Sequence, residues 1–470
     1  MGITSAFSIS RSGLAVVEKR AEITAGNIAN ADRPEYTRKS ALQGADAAGG
    51  VRVTSIRREV DAAVDRLYRS EQARAGRQEA IASGLELYTT RLGQPGTGAS
   101  LTDRIANLRS AFTQLANAPE LPAAQTGVLM ASQSMVQELN TTSGTLEEAR
   151  ALTRERIDTS IATLNAGLGR LAELNVQIPK AGTGTDLEAA LMDEAGALID
   201  QLSHVADLHI VHGASGSMSV YTAGGTELLE DRNQRTVSFD EASGTLFADG
   251  IDITPGRVGQ RGFGEGKLAG EIELLNVVFP RIQLQLDETA RALIEEFAAA
   301  DASLAPGAAG LFVERGNAGL PAALEGLASR IDVNNAVRPE AGGLLWRLRD
   351  GIGATVQGPA SDATQPNAFV EVFETAHGFD ISAGLGDNVT LGQFVAGLVA
   401  DQQQTRVSAQ QRQESLLASA ASIEAVRSGI SGVNMDDELQ RLVEIEQAYA
   451  ANSQVIRSLT EMLDTLLAAF

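Results

Sequence analysis

Three of the four histidines, His204, His209 and His212, fall in one short stretch. Imidazoles spaced this closely hold a divalent metal when a further donor completes the set. No carboxylate pattern completes it here. On a strand, alternation also turns His204 away from one of the other two. The stretch therefore reads as scattered strand histidines, with His377 the fourth. Gly262-Phe263-Gly264-Glu265-Gly266-Lys267 has the outline of a phosphate loop. Arg261 stands where that loop needs its first glycine, and Leu268 replaces the hydroxyl that would hold Mg²⁺. It reads as the hinge from a sheet to a helix. No Gly-x-Ser-x-Gly nucleophile turn occurs. Glu147–Glu148 and Glu295–Glu296 lie on amphipathic stretches whose acidic faces are solvated by default. Asp332, Glu340, Asp350, Asp362 and Glu371 offer carboxylates for a hydrolase, but their spacing pairs none of them. The sequence assigns no catalytic residue, no cofactor and no metal site.

The elements that could position such groups are set by composition. The chain has 470 residues, 43% hydrophobic and 21% charged, room for about three domains. Aromatic residues are 4%, so the core is expected to be built from Ala, Leu, Val and Ile. The absence of cysteine excludes a disulfide framework, a Cys–Zn site, an Fe–S cluster and a Cys nucleophile. A net charge of −22 argues against nucleic acid as a partner, because phosphate binding needs a positive field. The charge is uneven. Residues 1–80 carry 13 basic and 10 acidic side chains, a net +3, which leaves −25 on the remainder. No run of about 18 apolar residues predicts membrane insertion. The first ten residues are too polar for a cleaved signal peptide.

The two ends share one pattern. Ile3, Phe7, Ser10, Leu14, Val17, Ala21, Thr24 and Ile28 recur at alternating four- and three-residue spacing, which predicts a helix over 1–30. Pro34 is expected to stop it. Leu442, Ile445, Tyr449, Asn452, Ile456, Leu459, Leu463 and Leu466 form a stronger stripe from about Asp436 to Ala468. Helical stretches are also predicted over 58–92, 100–117, 124–178, 186–202, 267–300 (with Pro280 a kink) and 391–428. Residues 205–255 switch to alternation broken by Gly, Asn and Asp, which predicts antiparallel strands. The fold class is mainly α with an inserted β-rich domain: paired terminal helices, a long helical bundle and an antiparallel β domain in the middle. The expected division has terminal coiled-coil-like arms at 1–50 plus 430–470, and a helical rod domain at 51–180 plus 266–300 plus 391–429. A β-rich domain occupies 181–265. Residues 301–390 form a loop-rich insertion, separate or part of the β-rich outer region.

Motifs at both ends point to one family. Ser12-Gly13-Leu14, Thr24-Ala25-Gly26-Asn27-Ile28-Ala29-Asn30 and Tyr36-Thr37-Arg38 resemble the N-terminal signature of the bacterial flagellar axial proteins, which comprise rod, hook and hook-associated proteins. Gly26 and Glu35 depart from it. Ser431-Gly432-Val433-Asn434-Met435-Asp436-Asp437-Glu438, Glu446-Gln447-Ala448-Tyr449-Ala450-Ala451-Asn452 and Met462-Leu463-Asp464-Thr465-Leu466 resemble the C-terminal signature, and the lead-in favours the hook-associated branch. The resemblance implies a secreted, non-enzymatic structural protein of the flagellum, serving motility and flagellum assembly between hook and filament. Its implied partners are further copies of itself in a ring-like or helical homo-oligomer, the hook protein, and a second junction protein leading to the flagellin filament. Export without a cleaved signal, through a type III apparatus with an export chaperone, is implied as well. The expected assembly interface comprises Phe7, Leu14, Val17, Asn27, Ile28, Asn30 and Tyr36, with Leu442, Ile445, Tyr449, Asn452, Ile456, Leu459, Leu463 and Leu466. Asn27, Asn30 and Asn452 are expected as buried polar register contacts. The alternatives are another axial protein of hook or distal rod type, and a cell-wall hydrolase or ligand-binding adhesin on an axial scaffold.

Overall fold

A computed structural model describes residues 2–33, 35–46, 49–93, 96, 98, 100–213, 216–257, 259, 261–317 and 319–468. The chain divides into two compact units. Residues 1–77, 159–269 and 413–470 form one; residues 78–158 and 270–412 form the other. Four helices, α2 (Ala62–Leu92), α4 (Pro122–Ala181), α6 (Lys267–Glu273) and α11 (Leu391–Ser431), contain a boundary between units.

The first unit begins with α1 (Ile3–Ala29). Pro34 lies outside the described residues. The chain then forms a hairpin, β1 (Lys39–Ala45) against β2 (Val51–Arg58), antiparallel with a register shift at Leu42/Gln43. The boundary expected near residue 50 therefore falls in a hairpin turn, and residues 51–58 are strand rather than the start of the helical rod. The last half of α4 buries Leu164, Leu168, Leu171, Leu174 and Ile178 completely. Helix α5 (Asp186–Val205) starts at Thr185, whose hydroxyl accepts the Glu188 amide at 3.1 Å. It packs closely on α4, because a Cβ at Gly167 would lie 2.5 Å from a methyl of Leu202.

The inserted strands follow. β3 (Leu208–His212), β4 (Met218–Thr222), β5 (Glu227–Glu230) and β6 (Asn233–Gln234) make one antiparallel sheet in that order. β7 (Val237–Asp240), β8 (Thr245–Ala248) and β9 (Ile251–Asp252) make a second. Asp249 and Gly250 both have positive φ in the two-residue turn between β8 and β9, the combination an Asp-Gly hairpin turn requires. His204 lies in α5, not on a strand as expected; His209 and His212 are on β3. Among the described residues no group of side chains could hold a metal ion.

The neck of this insertion is tightly closed. The Asp207 carboxylate accepts the Gly264 amide at 3.0–3.1 Å, and the Asp207 amide donates to the Glu265 carbonyl at 3.3 Å. Gly266 has φ +103°, and a Cβ there would meet the Val205 carbonyl at 2.5 Å. The glycines of 262–266 thus close a hinge, as the sequence predicts.

The second unit contains α3 (Leu101–Asn117), opened by a Ser100/Asp103 capping box, and the first part of α4. The returning helix runs as α6 (Lys267–Glu273), a π-helical turn Leu274–Val278, and α7 (Phe279–Ala299). The expected Pro280 kink takes the form of this wider turn. The Phe279 amide bonds the Leu274 carbonyl, five residues back, and Pro280 brings no N–H. Residues 301–390 supply short pieces: β10 (Phe312–Glu314) paired with β11 (Ile331–Val333), α8 (Leu327–Arg330), α9 (Arg347–Asp350), α10 (Thr364–Glu374), and β12 (Ala376–Gly378) paired with β13 (Asn388–Thr390).

Two expectations change here. Residues 301–390 belong to the helical second unit, not to the β-rich region. The reason is aromatic packing. Phe112 of α3 and Phe297 of α7 meet Phe312, Phe369 and Phe373, with ring centroids 5.1–6.2 Å apart. The core is therefore not purely aliphatic; this unit concentrates scarce phenylalanines at its centre. Four of the five possible hydrolase carboxylates are otherwise engaged. Asp332 and Glu340 pair with Arg338, Asp350 pairs with Arg349, and Asp362 accepts the Thr364 amide.

Candidate assembly interface

Helix α12 (Met435–Ala468) begins at Asn434, whose side-chain oxygen accepts the Asp436 amide at 3.0 Å. Asp436, Asp437 and Glu438 in the first turn suit the positive end of the helix dipole. At about 1.5 Å per residue its 34 residues span roughly 50 Å.

Helix α12 packs on α1, and two contacts fix the register. Asn27 meets Glu438, and Gly13 meets Asn452, so the helices run antiparallel. At Gly13 a Cβ would lie 2.9 Å from the Asn452 amide oxygen. This register carries the end of α12 beyond Ile3, where α1 begins. The described residues from Glu461 onward are all exposed for that reason.

Asn27 is the hub of the pairing. It is fully buried, as is Glu438. Its Nδ2 donates to the Lys39 carbonyl at 2.9 Å and to the Glu438 carboxylate at 3.1 Å. Its Oδ1 accepts the Tyr36 hydroxyl at 2.9 Å and the Lys39 amide at 3.0 Å. All four hydrogen-bonding positions of the amide are thereby used. Glu438 is further bound by Arg441 at 2.6 Å. Tyr36 sits under the Lys39 ammonium, 5.0 Å from the ring centre. Burial, with Asp193, Asp186 and Glu438 nearby, pushes its hydroxyl up to about 12. The hairpin is tied in by Arg58 and Lys39, which reach Asp193 of α5 at 2.7 and 3.6 Å. The Arg38 amide donates to the Ser431 carbonyl at 2.8 Å, just before α12.

Of the expected interface, Val17, Asn27 and Ile445 are buried within one chain. Leu14, Ile28, Asn30, Tyr36, Leu442, Asn452, Ile456 and Leu459 are half-buried. Phe7, Tyr449, Leu463 and Leu466 are exposed. The three asparagines differ. Asn30 donates to the Gly26 carbonyl and Asn452 to the Ala448 carbonyl, each one turn back in its own helix. Only Asn27 carries a hydrogen bond from α1 to α12 among these. Sequence reasoning missed Glu438 as its partner, although an acid four residues after a cap was visible. It also missed Arg427, which joins Asp65 and Asp200 at 2.7 Å each and stacks over Tyr68 at 5.0 Å.

The chain is similar in sequence to known proteins over most of its length. Residues 91–303 match the model of the flagellar hook-associated protein FlgK helical domain. Residues 429–469, which contain α12, match the flagellar basal body rod FlgEFG protein C-terminal model. Flagellar hook-associated protein 1 of Bacillus subtilis (strain 168) is 22% identical over 517 residues, covering 99% of this chain and 97% of that protein. The chain is thus similar to the flagellar hook-associated proteins. The hook-associated protein 1 of Escherichia coli (strain K12) is 22% identical over 313 residues, 63% of this chain and 56% of that one. A solved flagellar hook junction protein FlgK from Burkholderia pseudomallei shares 18% identity, covers 53% of this chain and 46% of its own, and has a TM-score of 0.43. No described helix is long and apolar enough to cross a membrane.

Proposed function

We propose that this chain is a non-enzymatic structural protein of the bacterial flagellum, and that it forms the junction between hook and filament by packing α1 and α12 between neighbouring copies. One observation carries the reading. Helix α12 leaves Leu439, Val443, Tyr449, Val455, Met462, Leu463, Leu466 and Leu467 exposed along its length, after α1 has taken its share of the stripe. An isolated chain gains nothing from such a surface, whereas a polymer buries it at every contact.

In this reading the hook protein lies on one side and a second junction protein, leading to the flagellin filament, on the other. The chain passes unfolded through the type III export apparatus, escorted by a chaperone and without a cleaved signal, to its place outside the cell.

The test is deletion of residues 436–470, with filaments and secreted flagellin assayed. The expected result is hooks without filaments and flagellin in the medium. Normal filaments would overturn the reading.

A further inference from the structure

Gly13 and Asn27 mark the line of α1 that faces α12. Ser12, one residue before Gly13, faces the hairpin, where its hydroxyl accepts the Val51 amide at 3.1 Å. Leu14, one residue after Gly13, turns about 100° the other way, and Phe7 falls within about 20° of Leu14. On α12 the line facing α1 runs through Glu438, Ile445 and Asn452, at seven-residue intervals. Two antiparallel helices in contact are related by a local two-fold axis. Residues displaced forward from the contact line therefore lie on the same side of the pair in both helices. Tyr449 and Ile456, four residues after Ile445 and Asn452, are displaced forward by about 40°. The side of the pair away from the hairpin is thus an apolar trough, with Phe7 and Leu14 on one wall and Tyr449 and Ile456 on the other. Phe7 is 37% and Tyr449 47% exposed, and Leu14 and Ile456 are half-buried.

The last turns of α12 carry a surface that suits this trough. Leu459, seven residues after Asn452, continues the line that α1 covers and is half-buried. Met462, Leu463, Leu466 and Leu467 follow, spread over an arc of about 140° that contains the same line. All four are exposed, at 36–71%, because α1 begins at Ile3 and leaves them without a partner helix. The tip is therefore the α1-binding stripe of α12, continued past the end of α1. The charges also agree in sign. After Arg457 the described tip carries Glu461 and Asp464 and no base. At the trough, Arg11 stands about 40° outside Phe7 and Arg457 about 100° outside Ile456. Both arginines are exposed, and neither is ion-paired among the described residues. A turn deeper, Glu18 and Glu446 are exposed in the equivalent places and make the edge acidic. Attraction across these short distances therefore favours the Phe7 end of the trough for an acidic tip.

We propose that residues 462–467 of one copy lie in the trough of the next, as a third helix on its α1–α12 pair, with Leu463 and Leu466 against Phe7, Leu14 and Tyr449. The occupant is a second copy of this chain. Its tip continues the stripe that already packs on α1, and its acidic character matches the arginine edge. The tip and the trough are different surfaces, so the contact is heterologous and repeats head to tail, generating a ring or helix rather than a closed dimer. The contact rests on the structural reading above and adds to it the pair of surfaces that sets the direction of assembly.

A disulfide tests the contact in cells carrying the chain as their sole copy. The chain has no cysteine, so L14C/L466C introduces the sole thiols. Gly13 faces Asn452, which sets Leu14 level with residue 451 and fifteen residues short of Leu466. Within one chain the two thiols are therefore about 22 Å apart along the pair, beyond the roughly 7 Å between Cα atoms that a disulfide spans. Oxidation of assembled flagella should give a ladder of three or more linked copies. Dilute monomer should give none, and either single-cysteine variant should stop at linked pairs. A second probe needs no thiol. Phe7→Asp and Leu466→Asp alter exposed side chains on the two surfaces, and each should lower the fraction of cells bearing filaments by about 10-fold. Circular dichroism of each purified variant checks that it folds. Filaments at the unaltered frequency in both aspartate variants, or a missing ladder in L14C/L466C flagella that carry filaments, would overturn the proposal. Were the 436–470 deletion harmless, the structural reading itself would fall; were it to abolish filaments while no ladder formed, only this contact would.

Discussion

The side-chain amide of Asn27 donates to the carboxylate of Glu438 at 3.1 Å, joining residues 411 positions apart. Both are buried, and the same amide is bonded to Tyr36 and Lys39. Two terminal motifs thereby become one polar cluster that sets the register of α1 on α12. Asn27→Ala would leave the buried Glu438 and the Lys39 backbone short of partners. A loss of about 2–4 kcal/mol is expected, since each buried orphan costs about 1–3 kcal/mol. Amide exchange at residues 435–445 should accelerate with it. Unchanged protection there would remove Asn27 from this role.

Gly13 admits a graded test. In Gly13→Ala the new methyl displaces only the end of the Asn452 side chain, and helix propensity returns up to about 1 kcal/mol. The variant should be near neutral in urea denaturation. Gly13→Leu must push the helices apart and should expose Val17 and Ile445. Equal tolerance of both would show that no close approach exists.

Asp207 makes the neck of the β insertion sensitive to pH. Burial raises its carboxyl from the ordinary 3.8 to about 6, against the pull of the Gly264 amide. The folded state thus holds a proton that the unfolded state has lost. The associated stability is complete below about pH 4 and disappears as pH rises through about 6. Asp207→Asn should flatten that limb of the stability curve, and carboxyl NMR should place the titration near 6. A midpoint near 4 would contradict the assignment.

The phenylalanine cluster should dominate the second unit. Phe112→Ala removes a ring in contact with Phe297, Phe369 and Phe373, with an expected cost of about 3–5 kcal/mol. Residues 301–390 should lose exchange protection together with α3. Independent behaviour would mean that this segment folds apart.

The sequence made the long helices legible because their apolar residues recur within each element; Leu164, Leu168, Leu171 and Leu174 in α4 are all buried as a local stripe predicts. It made the inserted strands legible through alternation and turns such as Asp249-Gly250. The β1–β2 hairpin was hidden, since Lys39–Ala45 lacks a clean period of two and its burial is shared among α1, α5 and solvent. Glu438 was hidden because an acid in a first helical turn already has an explanation in the helix dipole. Residues 301–390 were illegible since their core partners, Phe112 and Phe297, are supplied by distant helices.

The central claim is that the free surface of α12 is covered by neighbouring copies. Hydroxyl-radical footprinting reads it directly at Tyr449, Met462 and Leu466, all exposed in the single chain. The account predicts strong labelling of these three in the dilute monomer and about 10-fold weaker labelling in assembled flagella. Labelling that stays as strong after assembly would contradict it.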